Sequence, residues 1–171
     1  MKKWWPGTVA ILLFCSILSA AGIDLGNEKK APNLEDLQIH SGEMNNERLE
    51  TLLKSVATIR EGQLGAWTAV FEGRLVIVLT DEANNRMRVI TPIIESKKLD
   101  DAALKRLMEA NFESALDARY ALFKDYLWSV YVHPLAELSG AQFLDALNQV
   151  KQLADTFGDS YSSTGVVFKA E

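Results

Sequence analysis

The fold of this chain depends most on residues 117–135, "DARYALFKDYLWSVYVHPL", a stretch rich in aromatic side chains that also carries one of the two histidines. A tight turn at Lys124-Asp125 brings two runs of alternating side chains together and pairs Ala121 with Trp128. The small Ala121 opposite the large Trp128 is typical of packing inside a core. The stretch therefore predicts an antiparallel hairpin.

The two faces of this hairpin differ in chemistry. Val130 and Val132 share a face with Trp128, and this face is predicted to lie in the core. The opposite face mixes hydroxyl groups, an imidazole and leucines, as a partly hydrated surface does. It forms the candidate interaction face, with the residues Tyr120, Leu122, Leu127, Tyr131 and His133. Two readings of it stay open: an interface, including self-association, or burial under a helix.

Before this hairpin, the sequence predicts one helix, three strands and a second helix. The first helix starts at Asn45 or Asn46 and stops at Gly62. "GAWTAVFEGRLVIVLT" predicts a hairpin with its turn at Glu72-Gly73, and "RMRVITPI" a third strand that Pro92 ends. Asp100 is the expected N-cap of the second helix.

After the hairpin, Ser139 and Gln142 form a capping box for a last amphipathic helix that ends at Gly158. The whole pattern predicts an α+β fold in the order α-βββ-α-ββ-α, with a mostly antiparallel five-stranded sheet packed with helices. A short apolar piece, Val166 to Phe168, is left open as an edge strand or a packed tail.

The segments "NFESALDARYALFKDYLWSVYVHPL" and "GAQFLDALNQVKQLADTFG" resemble the pattern of the YbjN-like proteins, relatives of the type III secretion chaperones. The resemblance covers Asn45 to about Phe168, and its motifs are packing motifs. It implies a compact domain, often dimeric through a sheet or helix surface, that binds other proteins and performs no known chemistry. It supplies no catalytic residue.

The N-terminal residues predict export. Lys2 and Lys3 precede an apolar run from Val9 to Leu18, and small residues follow, which is the layout of a signal peptide cleaved after Ala21. A retained membrane anchor needs about 20 apolar residues, and the run from Val9 to Leu18 is shorter. A lipoprotein site needs small residues just before Cys15, but Leu13 and Phe14 stand there. The expected product is periplasmic or secreted, without stable membrane insertion. Residues 22–44 are then a polar linker, residues 45–168 the domain and residues 169–171 a tail.

Charge and composition exclude several classes of function. Removing residues 1–21 leaves 16 basic against 23 acidic residues, a net charge of −7, and this argues against a nucleic-acid partner. The only cysteine is removed as well, so the exported chain has no disulfide and no thiolate ligand. No phosphate loop, nucleophile elbow or metal-ligand spacing occurs, so we expect no enzyme activity, no cofactor and no metal site.

Two local features carry alternative readings. Arg86 and Arg88 point the same way from one strand and form a candidate anion or carboxylate contact, or else an ordinary solvated strand face. His133 either titrates near neutral pH or is a satisfied residue at the rim.

Two functions remain. The favoured one is a non-enzymatic, chaperone-like module that engages a protein or peptide, possibly a second copy of itself, through its sheet face or an edge strand. The alternative is a small-ligand or envelope-stress sensor with an apolar pocket. A hydrolase ranks third, because no polar triad can be assembled from these residues.

Overall fold

The computed structural model describes residues 42–164. The predicted signal peptide, most of the predicted linker and the apolar piece from Val166 to Phe168 lie outside the described residues. The helices are α1 (Asn46–Val56), α2 (Asp101–Glu113) and α3 (Gly140–Asp155), with a short 3-10 turn at Ser96–Lys98. The strands are β1 (Thr58–Gln63), β2 (Ala66–Phe71), β3 (Arg74–Asp81), β4 (Arg86–Glu95), β5 (Arg119–Phe123) and β6 (Tyr126–His133).

The sheet has six strands in the order β1-β2-β3-β4-β6-β5, and every neighbouring pair is antiparallel. The prediction of an α+β fold with an antiparallel sheet is confirmed, but the prediction of five strands is wrong. The sixth strand is β1, which the sequence reading assigned to the first helix. That helix ends at Val56 instead of Gly62, and the β-branched pair Thr58 and Ile59 starts the strand.

The helix starts are as predicted. The side chain of Asn45 accepts a hydrogen bond from the amide of Arg48 (3.0 Å), and that of Asp100 accepts one from Ala103 (2.7 Å). The capping box of α3 is complete in both directions. Each cap satisfies a backbone amide that the first turn of a helix leaves without an intrahelical acceptor.

The predicted turns are also found. Phe123 pairs with Tyr126 across Lys124-Asp125, and Glu72 and Gly73 adopt the positive φ angles (44° and 77°) that a tight hairpin turn requires. The strand that was expected to stop at Pro92 continues to Glu95. It does so because the register with β6 shifts between Pro92 and Ile94, which tolerates the missing proline donor.

All three helices lie toward one face of the sheet, which we call the helix-covered face. Helix α3 contacts β4 and β6 most, while α1 and α2 contact the two edge strands. The main core lies between this face and the helices, with Leu49, Leu53, Trp67, Val78, Val89, Leu127, Phe143 and Leu147 at its centre. Within residues 42–164, no helix lies on the opposite face, which we call the uncovered face.

Candidate interaction surface

The candidate interaction face of the β5–β6 hairpin is the helix-covered face. Tyr120, Leu127 and Tyr131 are only 6%, 1% and 5% exposed and belong to the main core. The hydroxyl of Tyr120 donates to the carbonyl of Leu153 in α3 (2.8 Å), so the ring lies beneath that helix. Of the two readings left open for this face, burial under a helix is the one found for these three residues. The pairing had been assigned correctly, but the helices pack on the other side from the one expected.

The remaining two residues of that set lie at the rim of the same face. Leu122 is half exposed, at the end of β5. The ring of His133 stacks on that of Tyr131 (centroids 6.3 Å apart, 13° between planes), and its Nδ1 lies 2.7 Å from the carbonyl oxygen of Pro134. His133 thus has partners within the hairpin. Whether Leu122 or His133 contacts another molecule stays a prediction.

The uncovered face carries a second, smaller apolar cluster. Ile77, Ile90 and Trp128 form its buried centre, and the residues packed around them are Leu75, Leu79, Tyr126 and Val130. Trp128 was expected to be buried and is 5% exposed, with its Nε1 donating to the carbonyl of Phe123 (3.2 Å). Val132, expected to share its core, is 50% exposed. One apolar face of the sheet therefore ends in an exposed valine.

Arg86 and Arg88 lie on this uncovered face. In the register of β4, Arg88 sits between Leu79 on β3 and Val132 on β6, and Arg86 pairs with Asp81. Both arginines are exposed, and Arg86 donates to the neighbouring carbonyl of Asn85 (2.8 Å). The structure thus agrees that the two side chains share a face. It does not test whether they bind an anion.

A third arginine, Arg119, shares the uncovered face and was missed in the sequence. Arg119 pairs with Val130 at the start of β5, so β6 lies between Arg119 and Arg88. Arg119 is exposed and donates to the carbonyl of Ala118 (3.0 Å). Part of its position could have been predicted from the sequence, because the predicted pairing of Ala121 with Trp128 already places Arg119 opposite Val130.

Side chains from two helices occupy backbone groups at the start of the outer edge of β5. The side chain of Asn111 in α2 accepts from the amide of Tyr120 (2.7 Å) and donates to its carbonyl (3.1 Å), as a neighbouring strand would. Gln149 in α3, only 2% exposed, accepts from the amides of Asp117 and Ala118 (2.9 and 3.1 Å). Two amide side chains therefore discourage strand addition at the start of this edge.

The other edge strand, β1, is irregular. Its register with β2 shifts between Ile59 and Glu61, and its residues from Arg60 to Gln63 are exposed. A bulge and charged side chains are the usual devices that discourage pairing at a sheet edge. The uncovered face is therefore a better candidate for binding than either edge.

Glu137, which follows β6 in the chain, interacts with Asn85 and with Arg86. The hydrogen bond from Nδ2 of Asn85 (2.9 Å), together with a backbone hydrogen bond and the positive charge of Arg86, keeps the pKa of the Glu137 carboxyl below its usual value. Glu137 is therefore ionised at neutral pH. Of the arginines on this face, Arg86 acts on the Glu137 carboxyl. Arg88 lies two residues further along β4, and Arg119 lies on β5, beyond β6.

No group of three or more His, Cys, Asp or Glu residues within residues 42–164 is arranged to hold a metal ion. In the same part of the chain, no helix has the length and apolar character needed to cross a membrane.

No protein family model matches the chain, and no curated protein matches it significantly. The fold does occur among solved structures. A chain of the HopA1-SchA chaperone-effector complex superposes with a TM-score of 0.52 at 11% identity, over 74% of this chain and 97% of that one. A chain in the structure of the Yersinia pestis type III secretion chaperone SycH with a fragment of YscM2 superposes with a TM-score of 0.49 at 18% identity, over 66% and 98%. At such low identity, the first likeness shows a shared fold alone.

Proposed function

We propose that this protein is a non-enzymatic protein-binding module that holds an extended segment of another protein on its uncovered face. The observation that carries the proposal is the position of Val132, which is 50% exposed at the end of an apolar sheet face that no helix within residues 42–164 covers. An exposed apolar patch framed by polar groups is typical of a binding site for another chain.

The hydrogen bonds at the outer edge of β5 favour binding on the face of the sheet over strand addition. Because Asn111 and Gln149 satisfy the outer backbone groups at the start of β5, a partner gains little there from strand addition. Side chains of a partner can instead lie on the face itself, against Val132, Phe123 and the stems of the arginines. The chaperone-effector complex that shares the fold supports a protein as partner.

A peptide array tests this proposal. The purified protein is applied to overlapping peptides of unrelated sequences, and we expect a subset of them to bind. Val132→Ser removes the exposed apolar contact and should reduce this binding severalfold. Leu64→Ser is a matched control, because Leu64 is 49% exposed but lies in the turn between β1 and β2. Equal binding by the two variants would contradict the proposal.

We further propose that the protein acts outside the cytoplasm, after removal of residues 1–21. The charged, apolar and small-residue order of those residues supports export. N-terminal sequencing of the protein from an envelope or secreted fraction should start at Gly22. Recovery of the segment Val9 to Leu18 in protein that only detergent extracts would contradict it. The sensor alternative and self-association stay predictions.

A further inference from the structure

The arginines of the uncovered face frame its exposed valine in a defined register. Arg88 pairs with Val132 from the β4 side, and Arg119 pairs with Val130 from the β5 side. The two arginines thus lie on opposite sides of β6 and one residue pair apart along it. All three side chains, Arg88, Arg119 and Val132, are exposed.

Strand geometry fixes the separation of the two arginines. Two strand spacings take about 10 Å across the sheet and one residue pair about 7 Å along it, so the diagonal is about 12 Å. In an extended peptide, residues i and i+4 lie on the same side and about 13 Å apart, with residue i+2 between them. An extended segment crossing β6 diagonally therefore presents three side chains to Arg88, the valines and Arg119.

Two of the three arginines on this surface form no ion pair inside the described domain. Within residues 42–164, neither Arg88 nor Arg119 has a carboxylate within ion-pair distance. Arg86 lies two residues before Arg88 on the same side of β4 and adds a third positive charge, which Asp81 opposite it on β3 and the nearby Glu137 partly offset. The protein as a whole carries a net charge of −5, so this basic surface opposes the sign of the rest. Guanidinium groups bind carboxylates in a forked geometry that favours them over other acceptors.

We propose that the partner segment carries the pattern acidic-x-apolar-x-acidic, with its two carboxylates on Arg88 and Arg119 and its apolar side chain on Val132. The inference rests on the proposed function and names the chemistry of the partner. The apolar contact supplies attachment, while the two carboxylates fix the position and direction of the segment.

The test is a titration of the isotope-labelled protein followed by amide chemical shifts, which detect weak binding and locate it. The probe is the peptide GESVSEG, and the control peptide GQSVSQG lacks only its charges. We expect the probe to shift the amides of Arg88, Arg119 and Val132, and to bind about tenfold more tightly than the control, from two exposed ion pairs. The difference should shrink as salt is raised.

Variants of the protein show which side chains bind the charged peptide. Arg88→Gln and Arg119→Gln should each weaken binding of GESVSEG about threefold and leave binding of GQSVSQG unchanged. Lys105→Gln removes one positive charge from an exposed position of α2 and should change neither. A loss with Lys105→Gln equal to that with Arg88→Gln would overturn the proposal, because it would show a response to overall charge alone.

Four further outcomes overturn it. Equal affinity for the two peptides would mean that only the apolar contact matters, and this result leaves the proposed function standing if Val132→Ser still loses array binding. Tighter, arginine-dependent binding of a short oligothymidylate would point to nucleic acid. Concentration-dependent self-association that Val132→Lys abolishes would make a second copy the occupant. Loss of all peptide binding, on the array as well, would overturn both proposals together.

Discussion

The two faces of the sheet carry similar apolar residues in different surroundings. The helix-covered face buries Trp67, Tyr120 and Tyr131 under three helices, and the uncovered face carries Trp128 and Val132 with no helix of residues 42–164 above them. The side chains of each strand point alternately to the two faces, and both faces are largely apolar. The difference teaches that helix packing decides which face holds the larger core, while Ile77, Ile90 and Trp128 are buried on the other face with no helix of residues 42–164 above them.

The largest effect should come from charging the helix-covered face. Replacing Leu127 and Tyr131 with lysine buries two unpaired ammonium groups beneath α3, and we expect the domain to unfold. Val132→Lys, on the next residue of the same strand, should change the free energy of unfolding by less than about 0.5 kcal/mol, since the site is exposed. Chemical denaturation measures both. A folded double variant would mean that the helices do not cover this face.

The two tryptophans allow a second comparison. Trp67 is 1% exposed in the main core, and Trp67→Ala should destabilise the domain by about 4 kcal/mol. Trp128→Ala should cost about 3 kcal/mol, because Trp128 belongs to the smaller cluster. Denaturant titrations of the two variants give the values. A cost under about 1 kcal/mol for Trp128→Ala would show that its cluster contributes little.

A smaller effect is expected from the buried hydrogen bonds of Gln149 in α3. Gln149→Leu removes the acceptor for the amides of Asp117 and Ala118, and leaving such groups unsatisfied should cost about 2 kcal/mol. Gln152→Leu, at an exposed position of the same helix, is the control and should have little effect. Equal stability of the two variants, measured in urea, would show that water replaces the lost acceptor.

The smallest effect is a dependence on alkaline pH. Burial raises the pKa of the Tyr120 hydroxyl in the folded protein. The unfolded chain therefore loses this proton near the ordinary pKa of about 10, before the folded chain does. The stability due to neutral Tyr120 is complete below that pH and falls as the pH rises above it. Tyr120→Phe should flatten this decline in unfolding experiments between pH 9 and 11, and an unchanged slope would contradict it.

Local signals in the sequence predicted local structure well. The caps at Asn45, Asp100 and Ser139 and the turn at Lys124-Asp125 depend on neighbouring residues, and all four are found. Strand β1 was missed because its charged sequence "TIREGQ" lacks the alternation of a half-buried strand. Its strand conformation depends on pairing with β2, which is a contact made after the chain turns back.

The candidate surface was harder to predict, for a different reason. Alternation shows that Tyr120 and Tyr131 share one face and that Val130 and Val132 share the other. It does not show which face the helices cover, and here the hydroxyl of Tyr120 was taken as a sign of water although it bonds to α3. Arg86 and Arg88 were placed together correctly because two residues on one strand suffice. Placing Arg119 near Arg88 requires the pairing of three strands, β4, β6 and β5.

The amide side chain of Asn111 has a consequence for the lifetime of the protein. Its nitrogen donates to the carbonyl of Tyr120 while its oxygen accepts from the amide, so both atoms are required. Spontaneous hydrolysis of an asparagine amide leaves a carboxylate, which only accepts hydrogen bonds. A single such event in α2 would keep the bond from the Tyr120 amide but place a negative oxygen against the Tyr120 carbonyl. The contact between α2 and β5 would then weaken as a molecule ages, although its sequence was translated identically.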